Sequence, residues 1–306
     1  MTSIGIGSGI LYLLNMSWVK MLTFNVENLA IYPNIFRHER AGEFYLPSDI
    51  SEFVSNKGDR FRDDFSRICT YLANKLIAED RNVENESVIV GTEYGNLDAM
   101  LRFQRQIRNN DKTVSAQQFP YATTSSASTF INIDKKVTGG NCTLNAGSKT
   151  PVMVFIQALL NLYNRSAGIS HLFFGDVYCA EALDDIRKKT SNQKSISSGV
   201  MCVGLSSGKQ FTADFFFGST VEEVKRQLDN LSPETKIFIF NTLNKNEALI
   251  NTIKDYNIIE YQEYNGAFLF HEFMNAIQCS QKEEAFVFIT IDNMNASGVR
   301  VIHNDE

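Results

Sequence analysis

Asn141–Leu162 reads NCTLNAGSKTPVMVFIQALLNL. Its first residues suit a short strand, the next few a tight turn of small residues, and the rest a helix that is apolar almost all round. A helix with no polar face must be covered on every side, so it is predicted to lie at the centre of a layered fold. A sharp turn at the mouth of such a helix is also a place where a nucleophile can be displayed. Cys142 lies before the turn and Ser148 just after Gly147, but the turn itself (Asn145, Ala146, Gly147) carries no nucleophilic side chain.

The rest of the chain supplies the layers. Strand-like runs occur at Ser3–Ile6, Ser87–Val90, His171–Phe174, Gly199–Leu205, Gln210–Phe217, Lys236–Phe240, Ala285–Ile291 and Val299–Ile302. Each is short, rich in β-branched or aromatic residues, and bounded by Gly, Asn, Asp or Ser. Several lack strict alternation, which predicts strands covered on both faces. Helical patterns span Phe61–Ala78, Asn96–Arg108, Val152–Tyr163, Val221–Leu231, Asn246–Lys254 and Ala267–Cys279. Strands alternating with helices predict an α/β fold with sheets sandwiched by helices. From about Lys236 a strand–helix–strand–helix–strand–strand series begins again. This suggests one duplicated domain over residues 1–306, with halves of about 1–232 and 233–306 and no linker. The polar stretch Lys188–Gly199 is expected to be a solvated surface loop.

Composition removes several functions. With 306 residues and 43% hydrophobic content the chain can bury a large core. A net charge of −6 argues against a polyanion-binding surface over the whole molecule, so no nucleic-acid partner is expected. No zinc-type Cys/His spacing is present, and no metal or other cofactor is expected. Five widely spread cysteines speak against a disulfide framework and for a reducing cytoplasm. The apolar start, MTSIGIGSGILYLLNMSW, has no basic region before it, is too short for a membrane span and is broken by glycines. It is read as a buried strand, and no membrane partner is expected. Gly5–Gly9 lacks the Lys-Ser/Thr of a phosphate loop and reads as a tight turn.

Five stretches, taken in order, resemble the β-ketoacyl synthase branch of the thiolase-like superfamily. They are IGIGSGI near the N-terminus, VIVGTEYGNLDAMLRF (Val88–Phe103), VSAQQFPYATTSSASTFINI (Val114–Ile133), GGNCTLNAGSKTPVMVFIQALL (Gly139–Leu160) and VFITIDNMNASGVRVI (Val287–Ile302). The resemblance implies the family's duplicated α/β/α/β/α layering. It also places Gly147 where the family's nucleophilic cysteine stands, Asn241 at the place of one catalytic histidine, and Ala267 at the place of the other. The oxyanion-hole loop is reduced to NMNASG. Glycine cannot hold an acyl chain as a thioester, so four parts of one mechanism are missing.

What the resemblance then implies is a non-catalytic chain-length factor. Such a subunit forms a heterodimer with an active ketosynthase and shapes its acyl tunnel in polyene, polyketide or fatty-acid-type biosynthesis. Met100, Phe103, Tyr121 and Thr124 are the tunnel residues by family position. An acyl carrier protein would dock mainly through the catalytic partner; Arg105, Arg108 and Lys112 form at most a local basic face. Two alternatives stay open. One is an acyltransferase or thioesterase with a relocated nucleophile, Ser148 or Cys142; the other is a homodimeric acyl-binding protein. His271, on the apolar helix, is read as a partly buried packing histidine, and His38 and His303 carry no signal.

Overall fold

A computed structural model describes residues 21–33, 44–55, 61–78, 85–109, 116–190, 194–228, 231–241, 251, 253, 256–291 and 295–305. The expected strand Ser3–Ile6, the Gly5–Gly9 turn, His38, Lys112 and most of the Asn246–Lys254 helix lie outside the described residues.

The strands are β1 (Leu22–Tyr32), β2 (Glu86–Gly91), β3 (Asn141–Leu144), β4 (Ile169–Asp176), β5 (Gly199–Ser219), β6 (Lys236–Asn241), β7 (Asn257–Glu260), β8 (Ala285–Ile291) and β9 (Ala296–His303). The first half-sheet runs β3-β2-β4-β5-β1, with β2 parallel to β3 and β4, and β5 antiparallel to β4 and β1. The second runs β7-β6-β8-β9-β5 with the same senses: β6 is parallel to β7 and β8, and β9 is antiparallel to β8 and β5. One five-strand pattern therefore occurs twice, and β5 is the last strand of the first copy and the first strand of the second. This is the duplicated α/β architecture expected from the sequence.

The helices are α1 (Asp64–Leu76), α2 (Leu97–Arg108), α3 (Ser126–Lys135), α4 (Thr150–Tyr163), α5 (Ala180–Thr190), α6 (Val221–Leu228) and α7 (Ala267–Gln278). Alternation along each strand sorts them into layers. Val88, Val90, Phe173 and Cys202 face outward and pack with α1 and α3. Ile89, Leu172, Phe174, Met201 and Val203 face inward onto α4 and α7. In the second half, Ile237, Ile239, Val287 and Ile289 face outward to α6, while Phe238, Phe240, Phe286 and Phe288 face inward to α4 and α7. Outer helices, sheet, two central helices, sheet and an outer helix make five layers. Helix α4 is buried from Val152 to Leu162 on nearly every side, as its composition requires. The abundant phenylalanines fill this centre. Phe155, Phe270, Phe273 and Phe288 are fully buried, and Phe270 meets Phe155, Phe174 and Phe288 edge to face.

Two expectations need correction, and one strand went unread. Gly199–Leu205 and Gln210–Phe217 are not two strands but one strand of 21 residues. The polar SSGK between them reads as a turn, yet Ser206 donates to Glu27 and Gln210 N donates to Asn25 Oδ1 at 3.1 Å. Those acceptors belong to β1, which the sequence reading missed because Asn25, Glu27 and Asn28 break its apolar pattern. Asn28 Oδ1 in turn accepts from Gly204 N at 3.0 Å. Lys188–Gly199 is not a solvated loop: Lys188–Thr190 end α5, and Lys194 and Ser197 are buried. Its far end is tied to Glu263, which accepts from Ser195 Oγ, Ser197 N and Ser197 Oγ at 2.7–3.0 Å.

Two buried groups set local stability. His171 Nε2 lies 2.9 Å from Glu86 Oε2, between neighbouring strands, with side chains 1% and 3% exposed. Removing one partner leaves the other buried without its complement, so Glu86→Ala lowers the unfolding free energy by about 1–3 kcal/mol in denaturant titration. Glu86→Ala combined with His171→Ala costs less than the sum.

Asp63 caps α1 through Ser66 N at 2.9 Å, and burial pushes its carboxyl from 3.8 up to about 6. Between these two values the folded chain binds a proton that the unfolded chain releases. Its contribution is full below about pH 4 and is lost as pH rises through about 6. Asp63→Asn keeps a competent cap. The variant flattens the pH dependence of stability in that window and gains up to ~3 kcal/mol at neutral pH. Equilibrium unfolding at several pH values checks this.

Candidate functional site

The chain turns at Asn145–Lys149, directly after β3, where it enters α4. Gly147 is exposed at φ +56°, in the left-handed region where a Cβ is disfavoured. The turn is held locally. Thr150 Oγ1 accepts from Ala146 N at 2.9 Å and donates to Gly147 O at 2.7 Å, while Gly147 N donates to Asn145 Oδ1 at 3.2 Å. A Cβ built at Gly147 meets nothing within 4 Å. The space for a side chain is there, and no side chain fills it.

Asn241 and Ala267, the other two positions singled out by the resemblance, lie at the same end of the strands. Asn241 is the last residue of β6, opposite Ile291 of β8, and the Gly147–Lys149 turn packs against β8. Asn241 is 3% exposed, and its Oδ1 has no hydrogen-bond partner among the described residues. Ala267 opens α7, fully buried, with its amide donating to Asn265 Oδ1 at 3.1 Å. It lies against the end of β4: a Cβ added to Gly175, whose φ is +144°, would come within 3.0 Å of the Ala267 Cβ. The position tolerates a methyl group and has little room for an imidazole.

The proposed substitutes are poorly equipped. Burial pushes the Cys142 thiol up to about 11, which keeps it protonated and unreactive. Ser148 has no hydrogen-bond partner, and so no base, among the described residues. His271 is half-buried on α7, and burial lowers its proton affinity. His303 packs on the Phe211 ring with centroids 4.8 Å apart. Among the described residues no group of three or more His, Cys, Asp and Glu is placed to hold a metal ion, and no helix is long and apolar enough to cross a membrane.

Sequence reasoning missed the polar network that ties the two halves together here. Asp176, ending β4, is fully buried; it accepts from Thr92 Oγ1 at 2.5 Å, Tyr94 N at 2.8 Å and Gly95 N at 3.1 Å. Burial raises its carboxyl to about 6 against the pull of these donors. Asn265 Nδ2 donates to the carbonyls of Asp176, Ser197 and Gly199 at 3.0–3.2 Å. Glu93 accepts from Tyr264 OH at 2.9 Å and from Lys189 Nζ at 3.2 Å, and its carbonyl accepts from Asn145 Nδ2 at 2.7 Å. A carboxylate ending the apolar run HLFFGD was the one visible signal for Asp176; its partners come from two distant segments, Thr92–Gly95 and Asn265.

The four residues assigned to a tunnel do not all meet. Phe103 and Tyr121 line one pocket of about 160 Å³ with Phe61, Ala99 and Arg102. Met100, half-buried on α2, and Thr124, exposed after the 116–121 turn, are not among its lining residues. Phe119 stands beside Phe103, with centroids 6.2 Å apart, and is 59% exposed. Arg105 pairs with Glu181, so it is not part of a free basic face.

No protein-family model and no curated protein matches the chain. Solved structures do. The ishigamide ketosynthase/chain length factor superposes with a TM-score of 0.65 at 13% identity, over 84% of this chain and 85% of that one. A type II polyketide synthase ketosynthase, solved with its acyl-carrier protein and bound to the hexaketide, gives 0.64 at 12% identity over 84% and 88%. A ketosynthase in complex with its chain length factor from Xenorhabdus doucetiae gives 0.56 at 10% identity, over 92% of this chain and all of that one. At such identities the likeness establishes the fold, which is the thiolase-like fold of ketosynthases.

A Gly147→Cys variant tests the vacancy. The side chain fits the open space at a cost of about 1–2 kcal/mol for the left-handed backbone. Intact mass after incubation with an acyl-thioester is expected to show no enzyme-like adduct, because no imidazole stands at Asn241 or Ala267 to activate the thiol.

Proposed function

We propose that this chain is the catalytically silent, ketosynthase-like member of a pair: a chain-length factor that completes an active β-ketoacyl synthase and shapes its acyl tunnel. One observation carries the reading. The turn after β3 presents only Gly147, at φ +56° with open space beside it, at the position where the resemblance puts the nucleophile; buried Asn241 and Ala267 are the residues that the resemblance sets against the two histidines. Carbon–carbon bond formation then belongs to the partner, to which an acyl carrier protein delivers the substrate.

Surface features support pairing. Strand β3 is a rim of the sheet, bonded on one side to β2, and a rim strand is a ready template for another chain. Ile133, on helix α3 that packs against β3, is 66% exposed, and Phe119 and Ile107 elsewhere on the surface are 59% and 52% exposed. An obligate interface covers such groups. All five cysteines are free, in keeping with a reducing cytoplasm.

A ruler needs no chemistry. Each buried methylene is worth about 0.8 kcal/mol, and overpacking a closed tunnel costs about 1–3 kcal/mol. Phe103 and Tyr121, with Met100 and Thr124 nearby in sequence, are the proposed gate. One methylene then discriminates roughly 10–200-fold.

Co-expression with the ketosynthase of its own genome is expected to yield a stable one-to-one complex. In that complex Phe103→Ala shifts products to longer chains without abolishing turnover, read by mass spectrometry of the carrier-bound acyl groups. A well-folded monomer that ignores every ketosynthase would overturn the reading. So would a stable acyl adduct on Ser148 or Cys142, which would make the chain an acyltransferase or thioesterase.

A further inference from the structure

We propose that Asn96 is a positioning residue for the chain-length gate: it fixes the distance between the two walls of the Phe103–Tyr121 pocket, and through that distance the length of the acyl chain. The inference rests on the reading of this chain as a chain-length factor and adds the residue that calibrates it.

The walls of the pocket come from separate segments. Ala99 and Phe103 stand on α2, and Gln118, Tyr121 and Ala122 lie on and just after the 116–121 turn. Little apolar burial holds these segments together. Ala99 is the one buried residue of α2, and none of residues 116–121 is buried. The Phe103 and Phe119 rings meet at 6.2 Å, but Phe119 is exposed. The spacing therefore depends on polar bonds.

Asn96 supplies the bridge. It is buried at the N-terminus of α2, a position from which an Asn ordinarily turns its side chain onto the amides of its own helix. Here it makes no such bond. Its Nδ2 instead donates to Tyr121 O at 3.0 Å and Thr123 O at 2.6 Å, with Ser126 Oγ at 3.3 Å. Only the nitrogen of the side-chain amide can serve two carbonyls, which settles its orientation. Asn96, Ala99 and Phe103 are spaced i, i+3 and i+7, so the bridge and the wall share one face of α2.

Both ends of the bridge are anchored. On the Asn96 side, buried Asp176 accepts from Tyr94 N at 2.8 Å and from Gly95 N at 3.1 Å. On the other side, Ser126 Oγ lies 2.7 Å from the carbonyls of both Pro120 and Thr123. A bond between two fixed supports sets a gap; the same bond between loose ones would not.

The test uses the complex co-expressed with the ketosynthase of its own genome and reads the ratio of successive carrier-bound acyl lengths by mass spectrometry. Asn96→Asp keeps the shape of the side chain but turns an acceptor toward both carbonyls. It is expected to lower the preference for the wild-type length at least about tenfold, the lower end of what one methylene discriminates, with total turnover retained. Ser126→Ala shifts the ratio in the same direction and by less, and it decides the matter if Asn96→Asp does not assemble. Glu86→Ala, destabilised at the other end of β2, leaves the ratio unchanged, which separates positioning from a general loss of stability. Asn96→Asp adds little to Phe103→Ala, because both act on one wall. Wild-type ratios in Asn96→Asp, or in Ser126→Ala where the first variant does not assemble, overturn the proposal while Phe103→Ala still shifts lengths. An equal change of ratio in Glu86→Ala overturns it too. If Phe103→Ala itself leaves lengths unchanged, the gate reading fails, and this inference with it.

Discussion

Strand β5 belongs to both half-sheets at once, and that sharing constrains everything else. Its first part pairs with β4 and its second with β9, while β1 runs alongside both parts. The two halves therefore cannot turn independently. The helices α4 and α7 are trapped between sheets whose relative position is set by one continuous backbone. The inner faces can then be filled with interlocking phenylalanines, because the gap they fill does not vary.

The same constraint fixes the ends of the strands around the Gly147 turn. The turn at Gly147 is held by Thr150 and Asn145, and the loop before α7 by Asn265 and Glu263. None of these depends on a thiol or an imidazole. The frame derives its stability from backbone carbonyls and buried carboxylates. The network through Glu93, Tyr264 and Lys189 joins the halves.

The layered α/β fold was legible because periodicity reports burial directly. The all-apolar helix Thr150–Tyr163 and the runs KIFIF and AFVFITI each went where their patterns pointed. What stayed hidden was long-range. Strand β1 carries Asn25, Glu27 and Asn28 because their bonding partners lie on β5, far along the chain. Helix α5 was overlooked because its sequence is mostly charged and only a few positions, such as Leu183 and Ile186, are buried. Lys188–Gly199 looked solvated because serine and lysine gave no hint of the Glu263 carboxylate that draws its end inward. At the site, the lack of a nucleophilic side chain on the turn at Gly147 was visible from residue identity. The convergence of Phe103 and Tyr121 without Met100 or Thr124 was not, because pocket walls depend on side-chain direction and not on sequence spacing.

The pairing of β1 with β5 has a consequence for how the molecule is made. A ribosome releases β1 early, yet its neighbour emerges only after the middle of the chain has been synthesised. Until then β2 and β4 have their hydrophobic sides uncovered and no antiparallel strand to close them. Contacts so remote in sequence make for slow maturation and a long exposure to aggregation. The nascent protein is thus a natural client for chaperones, and one whose assembly would be favoured if a companion subunit were translated close by.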